Sequence, residues 1–266
     1  MRTAALVVAL AIAGAAPGAA AGGDGFDREA LAASQAAIGH SVGDYRLVDA
    51  DGGSLHLADL RGKPLVVAFV YTACTGLCPT LVTSLGGAVD LAAEALGGAS
   101  FNVLTIGFDS RNDTPPRMRA FAAAHGISRA NWRVASGDAA TIEGLAGDLG
   151  FRYERAVQGF DHIGQVSVID GDGRVYRQIY GASFEPQALV EPLKELVFGR
   201  RAPAASLTGL LDRIRLVCTL YDPASGTYRF DYSIFIGIVV GALSLGTTAY
   251  LLIRAWWRSA RARRPA

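Results

Sequence analysis

The sequence predicts a layered α/β domain, a mixed sheet with helices on both faces, followed by one C-terminal transmembrane helix. Three observations predict it. Leu65-Val-Val-Ala-Phe-Val-Tyr71 is a continuous apolar run without alternation, the texture of a central strand covered on both faces. From there to Gly150 strand-like and helix-like segments alternate, the order that joins strands through helical crossovers. Residues 232–253 carry no charge and cover about 33 Å as a helix at 1.5 Å per residue.

The elements follow in order. Residues 1–21 combine Arg2, an apolar core from Leu6 to Ala13 and an Ala19-Ala20-Ala21 end, the pattern of a cleaved secretory signal whose core is too short to span a bilayer. Residues 22–39 are Ala-rich, with Phe26, Leu31, Ala32 and Ile38 at helical spacing, and are expected to form a spacer or short helix. Tyr45-Arg-Leu-Val-Asp and Ser54-Leu-His-Leu flank Ala50-Asp-Gly-Gly53, a hairpin signal. After the central strand come a helix over 79–96 ending at Gly97-Gly98, a strand over 101–108, a helix opened by Thr114-Pro115-Pro116 and closed at Gly126, a strand over 132–135, and a helix capped by Asp138. Strands are expected at 151–157 and 166–169, the second turned by Gly171-Asp-Gly173 into 175–180, and a last helix over 186–198. Residues 199–231 form a linker and juxtamembrane segment, with an amphipathic helix expected over 207–220.

Charge divides along the same lines. The 266 residues carry 25 Lys and Arg against 24 Asp and Glu, with 51% hydrophobic residues and a mean hydropathy of +0.28. Removing Arg2 and the five arginines of the tail at 254–266 leaves 19 basic residues against all 24 acids, a formal charge of about −5 on residues 22–231. Nucleic acid is excluded as a natural partner of so acidic a domain. The acid-free arginine tail, flanked by Trp256 and Trp257, places 254–266 in the cytoplasm under the positive-inside rule, so the expected location is the inner (cytoplasmic) membrane, single-pass, with the folded part on the periplasmic side.

Chemistry concentrates in Tyr71-Thr-Ala-Cys74-Thr-Gly-Leu-Cys78-Pro79. Pro79 suits the first helical position and pushes the residue before it out of the helical region, so Cys78 is expected at the helix cap and Cys74 in the loop leaving the strand. Both sulfurs then lie near the positive end of a helix, which favours thiolates. Three readings fit the pair: a structural disulfide, although a loop this short yields little stability; a redox dithiol one residue longer than Cys-x-x-Cys; or half of a metal site. Among the four histidines, His40 and His56 fall in the hairpin region and His125 at a helix C-terminus, whereas His162 sits in a loop just before the apolar strand 166–169 with no capping task. Two thiolates and an imidazole suit Cu(I), since a closed zinc site wants a fourth protein ligand that the sequence does not offer. Cys218, the third cysteine, has no partner near it in sequence and reads as an inert thiol beside the membrane.

Several blocks in fixed order carry a resemblance: Gly62-Lys-Pro64 leading into the strand, Cys74-x-x-x-Cys78-Pro79, Gly107-Phe-Asp109-Ser-Arg-Asn-Asp113-Thr-Pro, Asn131-Trp-Arg133, and Asp161-His162 ahead of Val-Ser-Val-Ile-Asp170-Gly-Asp-Gly173. Together, over about residues 40–198, the chain resembles the Sco/SenC family. The resemblance implies a thioredoxin-like (peroxiredoxin-like) copper-binding domain over 40–198. It implies that Cys74, Cys78 and His162 hold a copper ion, and that Cys74 and Cys78 form a redox pair able to close a disulfide bond. Asp109 falls near this site without a chemical role that the residues reveal. The function implied is a copper chaperone for the Cu-A centre of cytochrome c oxidase; a thiol-disulfide reductase keeping the oxidase copper-site cysteines reduced is the alternative. The implied partners are the copper-bearing oxidase subunit, a copper donor protein, a thioredoxin-like reductant and the membrane. Many members are anchored by an N-terminal helix, whereas this chain predicts a signal and a C-terminal anchor. Cys218-Thr-Leu-Tyr-Asp-Pro-Ala-Ser-Gly-Thr-Tyr228 is similar to tails that occur in such proteins.

Overall fold

The computed structural model describes residues 23–199, 219–222, 227–230 and 233–262. The expected signal segment, residues 207–218 of the expected juxtamembrane helix, and Cys218 lie outside the described residues.

The centre is a seven-stranded mixed sheet. Strands β1 (Arg46–Asp49) and β2 (Ser54–His56) form the expected hairpin, and β3 (Leu65–Val70), β4 (Asn102–Gly107) and β5 (Trp132–Ser136) are the parallel set. Strands β6 (Tyr153–Arg155) and β7 (Phe160–His162) make a separate two-stranded ribbon, and β8 (Gln165–Ile169) and β9 (Val175–Tyr180) close the main sheet in the order β2-β1-β5-β4-β3-β8-β9. β8 runs antiparallel to β3. This is the thioredoxin-like mixed α/β fold that the sequence resemblance implies. All six residues of β3 are buried, as its unbroken apolar run demands.

Helices α1 (Gly23–Ala36), α2 (Leu77–Leu96), α3 (Pro115–Ala124), α4 (Ala139–Asp148) and α5 (Gln187–Gly199) surround the sheet. α2 buries Leu81, Val82, Leu85, Ala88, Val89 and Ala92 at three- and four-residue spacing, and it packs against α5. Asp138 caps α4 as expected, its Oδ1 accepting from the Thr141 amide at 2.8 Å.

One open choice is settled and three expectations shift. The segment at 22–39, expected as a spacer or short helix, takes the helical alternative over Gly23–Ala36 and is docked, because Ala30, Ser34 and Ala37 present small buried side chains. The strand expected over 151–157 shrinks to three residues and leaves the main sheet to pair with β7. Helix α2 begins at Leu77 rather than Pro79. Proline is tolerated anywhere in a first turn whose amides have no intrahelical acceptor, so Pro79 permits the earlier start. At the C-terminal end of the expected juxtamembrane helix, Thr219 and Leu220 belong instead to β10 (Thr219–Asp222), which pairs with β11 (Thr227–Phe230).

The apolar block beyond is helix α6 (Ser233–Ala262), 30 residues long. Several of its side chains lie outside the described residues; counting only those described, no helix is long and apolar enough to cross a membrane.

Candidate metal centre

The strand β3 delivers the chain into the dithiol loop. The Cys74 amide donates to the Tyr71 carbonyl at 3.1 Å, folding the loop back on the strand end. Gly76 is the residue that caps α2 and has no side chain to accept from the helix's first amides. The Cys74 sulfur takes over that task, accepting from the Cys78 amide at 3.3 Å. Cys78 is therefore inside the first turn rather than at the cap, and it is fully buried, while Cys74 is half-buried. Both are free thiols.

The two sulfurs differ in acidity. Burial acts to raise Cys74, but the Cys78 backbone amide, the Cys78 thiol, the Gly76 amide and the Tyr71 hydroxyl together outweigh it and hold Cys74 below the usual thiol range. Burial dominates at Cys78 and pushes it well above that range, helped by the neighbouring Cys74 and by the charge of Asp113. Tyr71 is itself raised to about 12, by burial first and then by its hydrogen bond to Cys74. The tyrosine thus remains a donor to the sulfur at any physiological pH.

His162 arrives from the other side, on the last residue of β7 rather than in the loop that the sequence suggested. Its Nδ1 lies 3.1 Å from the Ile163 carbonyl, which can only accept, so Nδ1 carries the proton. Nε2 then presents its lone pair, 4.0 Å from the Cys78 sulfur. Burial lowers the His162 pKa, with the Ile163 carbonyl and the Asp161 charge acting in the opposite direction. The ring is held among aromatic neighbours, with centroids 5.3 Å from Phe108, 5.7 Å from Phe151 and 6.0 Å from Tyr71. Phe108 also packs edge-on to Phe160 at 5.2 Å and tilts against Tyr153 at 4.8 Å, so one core ring anchors both strands of the ribbon. At the turn of the ribbon Gly159 has a φ of +85°, and a Cβ there would come within 2.6 Å of the Tyr71 hydroxyl. Only glycine lets the ribbon close onto the strand end.

The structure brings Cys74, Cys78 and His162 to one place. His40, His56 and His125 are not among the residues around the dithiol; His125 ends α3 and packs on Phe121 at 4.3 Å. With metal–ligand distances of about 2.0–2.3 Å, two donors on one ion stand roughly 3.5–4 Å apart, so the Cys78–His162 pair is already at that scale. Cys74 differs, its sulfur being engaged on the Cys78 amide, and among the described residues no group of three His, Cys, Asp or Glu stands ready to hold a metal ion. A cavity of about 630 Å³ opens over Cys74 and His162.

A further residue supports the site and was not singled out from sequence. Asp113 is 1% exposed; its Oδ1 accepts from the Thr72 amide at 2.8 Å and the Thr72 hydroxyl at 2.7 Å, and its Oδ2 from the Asp109 amide at 2.9 Å. It clamps the end of β3 to the end of β4, immediately before the dithiol. Burial raises its pKa against the pull of these donors. Asp109, expected near the site, is itself buried and accepts from Asn112 Nδ2 at 2.7 Å, so its role is to shape this same loop. The signal was the density of Asp, Asn and Thr between Phe108 and Pro115, typical of a self-hydrogen-bonded turn.

A family model matches most of this domain. Residues 33–197 match the SCO1/SenC family model. The chain is 25% identical over 155 residues to the SCO1 protein homolog of Bacillus subtilis, covering 56% of this chain and 78% of that one. It is 33% identical over 94 residues to Protein SenC of Rhodobacter capsulatus, covering 35% and 40%. The structure of Bradyrhizobium japonicum ScoI with copper bound superposes with a TM-score of 0.50 at 22% identity, over 59% of this chain and 99% of that one, a likeness of fold. With the family model spanning the whole sheet, the dithiol loop and the histidine ribbon, the chain belongs to the SCO1/SenC family.

Proposed function

We propose that this protein is a copper chaperone that holds Cu(I) between Cys74, Cys78 and His162 and passes it to the Cu-A centre of cytochrome c oxidase during assembly. The observation that carries this reading is the pairing of a buried sulfur with the free lone pair of a fixed-tautomer imidazole at 4.0 Å, beside a second thiol in the same loop. Soft thiolate donors select Cu(I), and a relative of the same fold is described with copper bound. Loading requires Cys74, Cys78 and His162 to face one ion and both sulfurs to lose their protons. Transfer proceeds by ligand exchange, each donor of the acceptor replacing one of the three.

The thiol asymmetry favours a second reading in parallel, a dedicated thiol-disulfide reductase. The acidic, partly exposed Cys74 is suited to attack a partner disulfide, and the buried Cys78 to resolve the mixed disulfide. The two cysteines then lose two electrons to form their own disulfide, and the partner gains two electrons and two protons as a dithiol. The same oxidation removes both copper ligands and ties metal release to redox state.

The folded domain is proposed to work on the periplasmic side of the inner membrane, held by α6. Support comes from the leader at 1–21, the charge-free residues 232–253 with the arginine tail behind them, and the exposed Ile236, Val239, Val240, Leu243, Leu245 and Leu251 of α6. Competition titration of the full chain with Cu(I) and a chelator tests the site. Cys74→Ser, Cys78→Ser and His162→Ala are each expected to weaken binding at least about 10-fold, and unchanged affinity in any of them overturns the ligand set. Disulfide turnover by metal-free His162→Ala protein at the wild-type rate would favour the reductase reading.

A further inference from the structure

The cavity above the dithiol is walled on one side by residues of the segment expected as a spacer or short helix. Phe26 and Asp27, in the first part of α1, line it together with Cys74 and His162. This wall is fixed to the domain. Ser34 Oγ lies 3.0 Å from the Tyr180 hydroxyl, Gln35 Nε2 donates to the same hydroxyl at 2.6 Å, and Gln178 Nε2 reaches the Ser34 carbonyl at 3.5 Å. At Gly150 a Cβ would come within 2.4 Å of the Ala33 carbonyl oxygen, so the helix lies against bare backbone. These contacts tie α1 to β9 and to the end of α4 across more than a hundred residues of sequence.

Two properties of the cavity indicate what enters it. Its volume, about 630 Å³, far exceeds what an ion needs and falls in the range of roughly 300–1,000 Å³ for pockets that take organic groups. Among the described residues its charge has one sign: Asp27 and Asp161 are both exposed on the lining, and no described lysine or arginine is part of it. The nearest basic group of the ribbon, Arg155, is stacked 5.0 Å from the Phe160 ring and is not among the lining residues.

We propose that Phe26 and Asp27 of α1 form a specificity-determining wall. Phe26 narrows access to Cys74 and His162, and Asp27 with Asp161 admits neutral or cationic polypeptide segments carrying soft donor groups while turning away anionic low-molecular-mass thiols. The inference deepens the function proposed above and rests on Cys74 being that site's accessible thiol. An anionic reagent meets the field of two carboxylates before it reaches the sulfur, and an uncharged one of the same size does not.

The test uses full-length, metal-free, reduced protein and two reagents of equal size, iodoacetamide and iodoacetate. In each, the Cys74 thiolate attacks the methylene carbon, forms a C–S bond and displaces iodide. Peptide mass spectrometry reads Cys74 apart from Cys78 and Cys218. The iodoacetate-to-iodoacetamide rate ratio is expected to rise about threefold in Asp27→Asn and further in Asp27→Asn/Asp161→Asn, and Phe26→Ala is expected to raise both rates. An unchanged ratio in the double variant, or unchanged rates in Phe26→Ala with an intact circular dichroism spectrum, overturns the proposal. Because no metal is present, failure here leaves copper binding untouched, and a failed copper titration leaves this result standing.

Discussion

The two halves of the site are built in opposite ways. The dithiol half leaves a six-residue strand buried along its whole length and enters a 20-residue helix, so its position is set by the main sheet and by local backbone bonds. The histidine half stands on a three-residue strand paired only with another three-residue strand, outside the main sheet. A two-stranded ribbon of that length is not stable by itself in water. Its order is supplied by side chains, chiefly the aromatic rings that gather on Phe108. One half is thus held by the backbone ladder and the other by ring packing, and a metal site needs both in register.

The largest effect that breaks this comparison is expected from Phe108→Ala. Phe108 is 2% exposed, and deleting a buried phenylalanine costs about 3–5 kcal/mol. Urea unfolding is expected to show that loss, and hydrogen exchange to show the ribbon opening before the sheet. Loss of protection in both at once would mean that the ribbon is not held separately. Asp113→Ala strikes the other half. It strands the Thr72 and Asp109 amides and is expected to cost about 1–3 kcal/mol, with copper binding weakened through the dithiol loop. Equal stability to wild type by urea titration would remove the clamp from the account.

The smallest effect sharpens the comparison by pH. Cys74 is held below the usual thiol range, Cys78 well above it, and His162 below the usual imidazole range. The lowered pKa favours the neutral imidazole near neutrality, whereas loading as proposed would displace a proton from Cys78. Apparent Cu(I) affinity is therefore expected to rise with pH through neutrality and beyond the ordinary thiol pKa, because Cys78 alone continues to release its proton there. A titration that levels off near pH 7 would place the buried sulfur outside the ligand set.

The same division explains what could be seen in the sequence. The β3 run, the Cys74 and Cys78 spacing, the β1–β2 hairpin and the Asp138 cap rest on neighbours a few residues away, and each has a local signature. His162 was identifiable as a residue but not as part of a strand, because a three-residue strand has too little alternation to register against its surroundings. Asp113 acts on Thr72 across 41 residues, and Phe26 reaches the cavity only because small residues further along α1 let that helix dock. Neither contact leaves a periodic trace. The start of α2 was misplaced by two residues because Pro79 marks a first turn without saying which of its positions it occupies.

The bond from the Cys78 amide to the Cys74 sulfur has a further consequence. The sulfur does the work of a capping side chain for a helix whose cap residue is glycine. The sulfur has further lone pairs, so accepting from the amide and bonding to another partner do not exclude each other. A substitution that removes the Cys74 sulfur therefore also removes the acceptor at the start of α2.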